Sequence, residues 1–124
     1  MPDLLLATNN KHKLDEFKRL LGNSRWNLLS PNEIGISLSS EETGDSYESN
    51  VRTKAMNGSI SGLTVLADDS GLEIDAIPNE LGYLSARFLG PESNYKDRCQ
   101  TIIERLKGLP LDKRTARFRS VVAI

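Results

Sequence analysis

The chain has 124 residues, of which 38% are hydrophobic, so it is long and apolar enough for one domain with a modest core. Its 16 Lys and Arg residues nearly balance its 17 Asp and Glu residues, which excludes the broad basic field that favours nucleic acid or an anionic membrane. A single cysteine, Cys99, excludes an internal disulfide and a cysteine-based zinc cluster. Because the first residues also lack the pattern of a signal peptide, we expect a soluble, cytoplasmic protein.

The first predicted elements are a strand and a helix joined by a short polar segment. Residues 4–7 form a continuous apolar run, which is typical of a strand buried on both faces. Either Asn9 or Asn10 can cap the helix that follows, and Gly22 lies where a left-handed C-cap is expected. The apolar positions of this helix are Leu14, Phe17, Leu20 and Leu21.

The start of this helix is a candidate phosphate site. A helix that directly follows a strand points backbone N–H groups and the positive end of its dipole at whatever lies above the strand. Lys11, His12 and Lys13 in the first turn oppose that dipole. An anion in front of them would explain their position, and simple solvation of exposed side chains is the alternative.

The next segments predict a short strand over residues 26–29 and a second helix. Asp45 and Glu48 are spaced like a capping box at the start of that helix. Asn50 and Lys54 share one face, from which both side chains can point into a cleft. The apolar stripe of the helix comprises Tyr47, Val51 and Ala55.

The central segment, residues 63–76, contains two apolar runs separated by Asp68, Asp69, Ser70 and Gly71. This pattern predicts two strands with a carboxylate pair at their junction. Adjacent carboxylates repel each other, so the pair favours a compensating cation, and a divalent metal would also organise phosphate oxygens. The alternative is a plain turn, because Asp, Ser and Gly are common turn formers.

The last third predicts a capped helix and a final strand. Ser93 or Asn94 can cap the helix, which should end at Gly108 and Pro110 and serve as core scaffold. Its apolar residues are Tyr95, Cys99, Ile102, Ile103 and Leu106. The strand covers residues 115–124, and its predicted inner positions are Ala116, Phe118, Ser120, Val122 and Ile124.

Five short motifs occur in an order and spacing that resemble one known family. They are residues 8–13, residues 41–44, Asn50 with Lys54, residues 67–72 and residues 85–88. Over essentially the whole chain, they resemble the inosine/xanthosine triphosphate pyrophosphatases. The resemblance implies an α/β fold in which helices flank a long mixed sheet. It also implies two lobes with a nucleotide between them, and a homodimer.

This resemblance implies an enzyme that hydrolyses deaminated purine nucleoside triphosphates, such as those of inosine, deoxyinosine and xanthosine, to the monophosphate and pyrophosphate with Mg²⁺. Such an enzyme cleanses the nucleotide pool. Asp69 then corresponds to the general base, and Glu41 with Asp69 to the metal-binding acids. Lys54 corresponds to a second phosphate ligand and Ser70 to a substrate contact. The implied phosphate-binding segment comprises Thr8, Asn9, Asn10, Lys11, His12 and Lys13.

The chain also departs from the family pattern. Asn9 and His12 stand where many relatives have glycine. The family normally continues past the last predicted strand into motifs that hold the base and sugar, which predicts that residues 1–124 are one partial domain, truncated at the C-terminus. Two hypotheses follow: a pyrophosphatase that still turns over, or a truncated module that binds metal and phosphate, or forms a dimer, without turnover.

Overall fold

The computed structural model of the protein describes residues 1–38, 44–78, 80–82 and 94–124. Its strands are β1 (Asp3–Leu6), β2 (Asn27–Leu29), β3 (Thr64–Ile74) and β4 (Ala116–Ala123), and its α-helices are α1 (Lys11–Leu20), α2 (Tyr47–Gly58) and α3 (Tyr95–Leu106). Among the described residues, no helix is long and apolar enough to cross a membrane.

The four strands form one mixed sheet in the order β2-β1-β3-β4. Strand β1 pairs in parallel with both β2 and β3. Strands β3 and β4 run in opposite directions, because Ser70 lies beside Ser120 and Asp75 lies beside Thr115. The predicted α/β class, with a mixed sheet flanked by helices, is confirmed.

The chain forms two compact units, one of residues 1–69 with 121–124 and one of residues 70–120. The first unit has a core on each face of the sheet, since successive strand residues point to opposite faces. Helix α1 packs over one face and helix α2 over the other. The buried residues are Leu4, Leu6 and Leu66 on the α1 face, and Leu5, Ala7, Val51, Val65 and Ala67 on the α2 face.

The second unit has a smaller core. Ile74 and Leu81 are buried there, and Ile102 and Leu106 of α3 pack against them. Asn94 caps α3 by accepting a hydrogen bond from the N–H of Asp97 at 2.8 Å, which confirms one of the two predicted caps. The helix contributes only one edge to this core, because Tyr95 and Ile103, also predicted to be inside, are exposed.

Strand β3 corrects the prediction of two strands joined at an acidic turn. It runs without a break through Thr64–Ile74, so residues 68–71 lie inside a strand. Residues 64–66 pair with β1 and the strand continues beside β4, and this pairing overrides the local turn preference of Asp, Ser and Gly. The two carboxylates therefore do not share a turn but alternate along one extended segment.

Two predicted helix ends are also wrong. The C-cap of α1 is Leu21, with φ −98° and ψ 3°, and Gly22 is not among the glycines with positive φ. The N-cap of α2 is Ser46, whose Oγ accepts a hydrogen bond from the N–H of Ser49 at 3.0 Å, and not Asp45. In both cases the cap lies one residue from the predicted one.

Strand β4 presents the opposite face from the one predicted. Phe118, Val122 and Ile124 are exposed. Val121 and Ala123 instead pack against the core on the α2 face of the first unit. Alternation identifies the two faces of a strand but not which of them lies inward, and here only Val121 and Ala123 at the end of β4 are partly buried.

We expect Leu5→Ala to lower the free energy of unfolding by about 2–5 kcal/mol, because truncating a buried leucine leaves a cavity. Leu5 is 0% exposed, whereas Leu20 is 70% exposed although its spacing predicted a core position. The control Leu20→Ala should change the unfolding free energy by no more than about 0.5 kcal/mol. Urea unfolding followed by circular dichroism measures both, and equal losses would contradict this core.

A second prediction concerns acid stability. A hydrogen bond from Thr115 at 2.5 Å, and then the charge of Arg117, hold the pKa of Asp75 below its usual value. A carboxyl with a lowered folded-state pKa stabilises the fold above its unfolded-state pKa and loses this effect as the pH falls through the folded-state value.

Asp75→Asn should therefore be less stable than the parent protein at neutral pH, and the difference should shrink below about pH 4. Urea midpoints measured across this range test the prediction. Asp112→Asn, at an exposed position, is the control. A difference between Asp75→Asn and the parent that stays constant with pH would contradict the assignment.

Candidate active site

The candidate site is built on Asp68 and Asp69, which project from opposite faces of β3. Both carboxylates are buried, at 7% and 2% exposure respectively. Asp68 lies on the α1 face, where its Oδ2 is 2.8 Å from Nζ of Lys13. Asp69 lies on the α2 face, where its Oδ1 is 3.7 Å from Nζ of Lys54. Each acid is thus neutralised by a lysine from a different helix.

The start of α1 is held in place by its own side chains. Thr8 Oγ1 accepts a hydrogen bond from the N–H of Asn10 at 3.1 Å. Asn10 is the N-cap, and its Oδ1 accepts hydrogen bonds from the N–H groups of His12 at 2.9 Å and Lys13 at 3.4 Å. The prediction that Asn9 or Asn10 caps this helix is confirmed for Asn10, and the cap orders the backbone from which Lys13 reaches Asp68.

The other predicted members of this segment lie at its surface. Lys11 and His12 are exposed in the first turn of α1. Asn9 donates from Nδ2 to the carbonyl oxygen of Leu38 at 3.1 Å, which fastens the segment to the chain that precedes α2. Phosphate binding by residues 8–13 stays a prediction, and the structure places them at the N-terminus of a helix, as the sequence analysis expected.

Helix α2 brings Asn50 and Lys54 to Asp69. The two residues are four positions apart, so they lie on one face of the helix. Asn50 Nδ2 donates to Asp69 Oδ2 at 3.3 Å, and Lys54 Nζ also donates to the carbonyl oxygen of Asp68 at 3.2 Å. The prediction that Asn50 and Lys54 point to the same place is confirmed.

The remaining predicted site residues are Glu41 and Ser70. Glu41 and residues 85–88 lie outside the described residues. Ser70 belongs to the second unit, where its Oγ is 3.4 Å from Oγ of Ser120. In the described part of the chain, no group of three or more His, Cys, Asp or Glu side chains could hold a metal.

Sequence reasoning missed two contacts of the site. It left Asp68 without a partner. A turn was predicted at residues 68–71, so the strand geometry that points Asp68 toward α1 was not considered. It also gave Asn50 no role, although the spacing of Asn50 and Lys54 on a helix facing a carboxylate was a usable signal. Strand periodicity over residues 64–74 would have placed Asp68 and Asp69 on opposite faces, although not beside these partners.

The sequence model of the Ham1 family matches residues 4–124. The chain belongs to the Ham1 family. The match spans nearly the whole sequence, which confirms that the family resemblance covers the strand, helix and carboxylate motifs together.

Two curated relatives of this Ham1-family chain are named dITP/XTP pyrophosphatase. The protein of Thermoanaerobacter sp. (strain X514) is 35% identical over 123 residues, which cover 98% of this chain and 62% of the relative. The protein of Desulforamulus reducens is 40% identical over 122 residues, which cover 98% of this chain and 61% of the relative. The chain therefore spans less than two thirds of the length of these relatives.

Solved structures of Ham1 proteins share the fold. A HAM1 protein from Coxiella burnetii matches with a TM-score of 0.84 and 33% identity over 99% of this chain and 62% of that one. The Ham1 protein of Staphylococcus aureus matches with a TM-score of 0.78 and 29% identity over 97% of this chain and 61% of that one. The fold predicted from the sequence is therefore the fold of the Ham1 family.

The partly buried pair of Lys13 and Asp68 should be energetically coupled. A double-mutant cycle of Lys13→Gln and Asp68→Asn, read by urea unfolding, is expected to give about 1–2 kcal/mol, between the values of exposed and fully buried pairs. The exposed pair of Glu48 and Arg52, at 2.6 Å on α2, is the control and should give less than about 0.5 kcal/mol. A smaller coupling for the partly buried pair than for the exposed one would count against this geometry.

Proposed function

We propose that this protein hydrolyses deaminated purine nucleoside triphosphates, those of inosine, deoxyinosine and xanthosine, to the monophosphate and pyrophosphate. The observation that carries the proposal is the buried carboxylate of Asp69, held between Asn50 and Lys54. The names of the relatives, dITP/XTP pyrophosphatase, support the choice of substrate. They also make a module without turnover the less favoured alternative.

The two lysines of the site are the proposed triphosphate ligands. Lys13 lies at the N-terminus of α1, where the backbone dipole favours a negative group. Lys54 lies at the other carboxylate. Each lysine already pairs with a carboxylate. Because its ammonium group is compact and its side chain flexible, it can exchange that carboxylate for a phosphate oxygen. The triphosphate would thus meet positive charge from both helices.

Asp69 is the proposed general base. Its carboxylate can accept a proton from the water that attacks the α-phosphorus, so that the bond from this phosphorus to the pyrophosphate leaving group breaks. Lys13 and Lys54 would stabilise the negative charge on the departing pyrophosphate. Ser70, which directly follows Asp69, is the proposed further substrate contact.

Among the described residues, Asp69 supplies one oxygen donor of the kind that suits a Mg²⁺ ion. Magnesium prefers oxygen ligands and is commonly held by one or two carboxylates together with substrate phosphates. Asp69 supplies such a carboxylate, at an ion-pair distance of 3.7 Å from Lys54, and Glu41 is proposed as the second by resemblance. When bound, the ion would neutralise phosphate charge and align the triphosphate.

The remaining proposals concern the binding partner, the oligomeric state and the cellular location. The substrate is the proposed partner, and the balanced charge of the chain does not favour nucleic acid. The homodimer follows from the family resemblance, and both the homodimer and the cytoplasmic location stay predictions. That residues 1–124 form one partial domain also stays a prediction.

Pyrophosphate release from inosine triphosphate with Mg²⁺ tests the activity. Asp69→Asn should lower kcat by about 10²–10⁴-fold, because the general base is removed while the shape of the side chain is kept. Asp15→Asn, at an exposed position of α1, is the matched control and should behave like the parent protein. Full activity of Asp69→Asn would remove Asp69 as the base.

Two further results distinguish a base-selective enzyme from a module without turnover. Faster turnover of inosine than of adenosine triphosphate would support the base-selective enzyme. A folded protein that binds both nucleotides equally and weakly and releases no pyrophosphate would support the module without turnover.

A further inference from the structure

Asn50 contacts both the carboxylate of Asp69 and the backbone that precedes α2. We propose that Asn50 is a positioning residue, which fixes the orientation of Asp69 and holds Gly44 in a set place beside it. The inference rests on the proposed function, because a general base must be oriented toward the water that it deprotonates.

The surroundings of Asn50 permit one orientation of its amide. The side chain is 2% exposed, so its polar atoms depend on protein partners. Its Oδ1 accepts the N–H of Gly44 at 2.8 Å, and its Nδ2 donates to Asp69 Oδ2 at 3.3 Å. Turning the amide over would place its oxygen against a carboxylate and its NH₂ group against an N–H, so both contacts would become repulsive.

The two carboxylate oxygens of Asp69 therefore have different neighbours. Oδ2 receives a hydrogen bond from Asn50, and Oδ1 lies 3.7 Å from the ammonium group of Lys54. Lysine is a point charge on a long flexible side chain, whereas the short amide is fixed at its other end by Gly44. Asn50 thus supplies the directional constraint and Lys54 supplies the charge.

Gly44 is fitted to the Asn50 side chain. A Cβ atom at position 44 would overlap Asn50 Oδ1 and Ser49 Oγ, so glycine is the residue that allows this close approach. The result is a continuous connection from the backbone of residue 44 through Asn50 to Asp69. An apolar side chain of similar volume would fill the space but make neither hydrogen bond.

Two substitutions separate the two contacts. Asn50→Leu keeps the approximate volume and removes both hydrogen bonds. Asn50→Asp keeps an acceptor for Gly44 but replaces the donor to Asp69 with a second carboxylate. The matched controls, Asn57→Leu and Asn57→Asp, make the same changes on the same helix at a half-buried residue that makes none of the site contacts described above. If Asn50→Leu does not fold, Asn50→Asp carries the test.

We expect both Asn50 variants to lose about 10²-fold in kcat for inosine triphosphate with little change in KM, because the lysines are kept while the base is misplaced. Hydrogen exchange of the Gly44 amide should be faster in Asn50→Leu and unchanged in Asn50→Asp. Affinity for Mn²⁺ alone, measured by electron paramagnetic resonance, should fall about tenfold in Asn50→Leu, as for the loss of a residue that orients a metal ligand.

The outcomes distinguish this inference from the proposed function. Parent-like kcat in a folded Asn50 variant, or equal losses in the Asn57 controls, would overturn the positioning role. If the parent binds Mn²⁺ but releases no pyrophosphate, the proposed function fails, and the Mn²⁺ affinity of Asn50→Leu decides the positioning role: a tenfold loss supports it and an unchanged affinity overturns it. A parent protein that neither binds Mn²⁺ nor turns over would remove both.

Discussion

The alternation of side chains along β3 is the constraint on which the site depends. Two adjacent carboxylates buried on one side would repel each other strongly, and each would also lose its hydration. An extended strand turns Asp68 and Asp69 to opposite faces, where each meets its own lysine. The strand thus converts a repulsive pair into two separate, partly buried ion pairs on opposite faces of the sheet.

The same alternation organises the core of the first unit. Leu66 shares the α1 face with Asp68, and Ala67 shares the α2 face with Asp69. The helices that cover the apolar residues therefore also supply the basic partners of the acids. Because one backbone segment sets both packing and charge, the position of the site follows from the way in which the helices pack on the sheet.

Burial gives the polar residues of the site defined partners. A buried amide or carboxylate is costly unless its hydrogen bonds are made, so Asn50 and Asp69 are each held from more than one direction. Lys13 and Lys54, which neutralise the acids here, are also the cations proposed to bind the phosphates. Charge balance within the protein and the proposed recognition of the nucleotide therefore use the same side chains.

The sequence by itself determined the features that depend on near neighbours along the chain. These are the helices, the two-residue choices of cap at Asn9 or Asn10 and at Ser93 or Asn94, the stripe of α2 and the ordered motifs that identify the family. Only the tertiary structure decided the continuity of β3, the inner face of β4 and the pairing of Asp68 with Lys13. The physical reason is that strand pairing and burial depend on residues distant in sequence, and these contacts outweigh the local turn preference of residues 68–71.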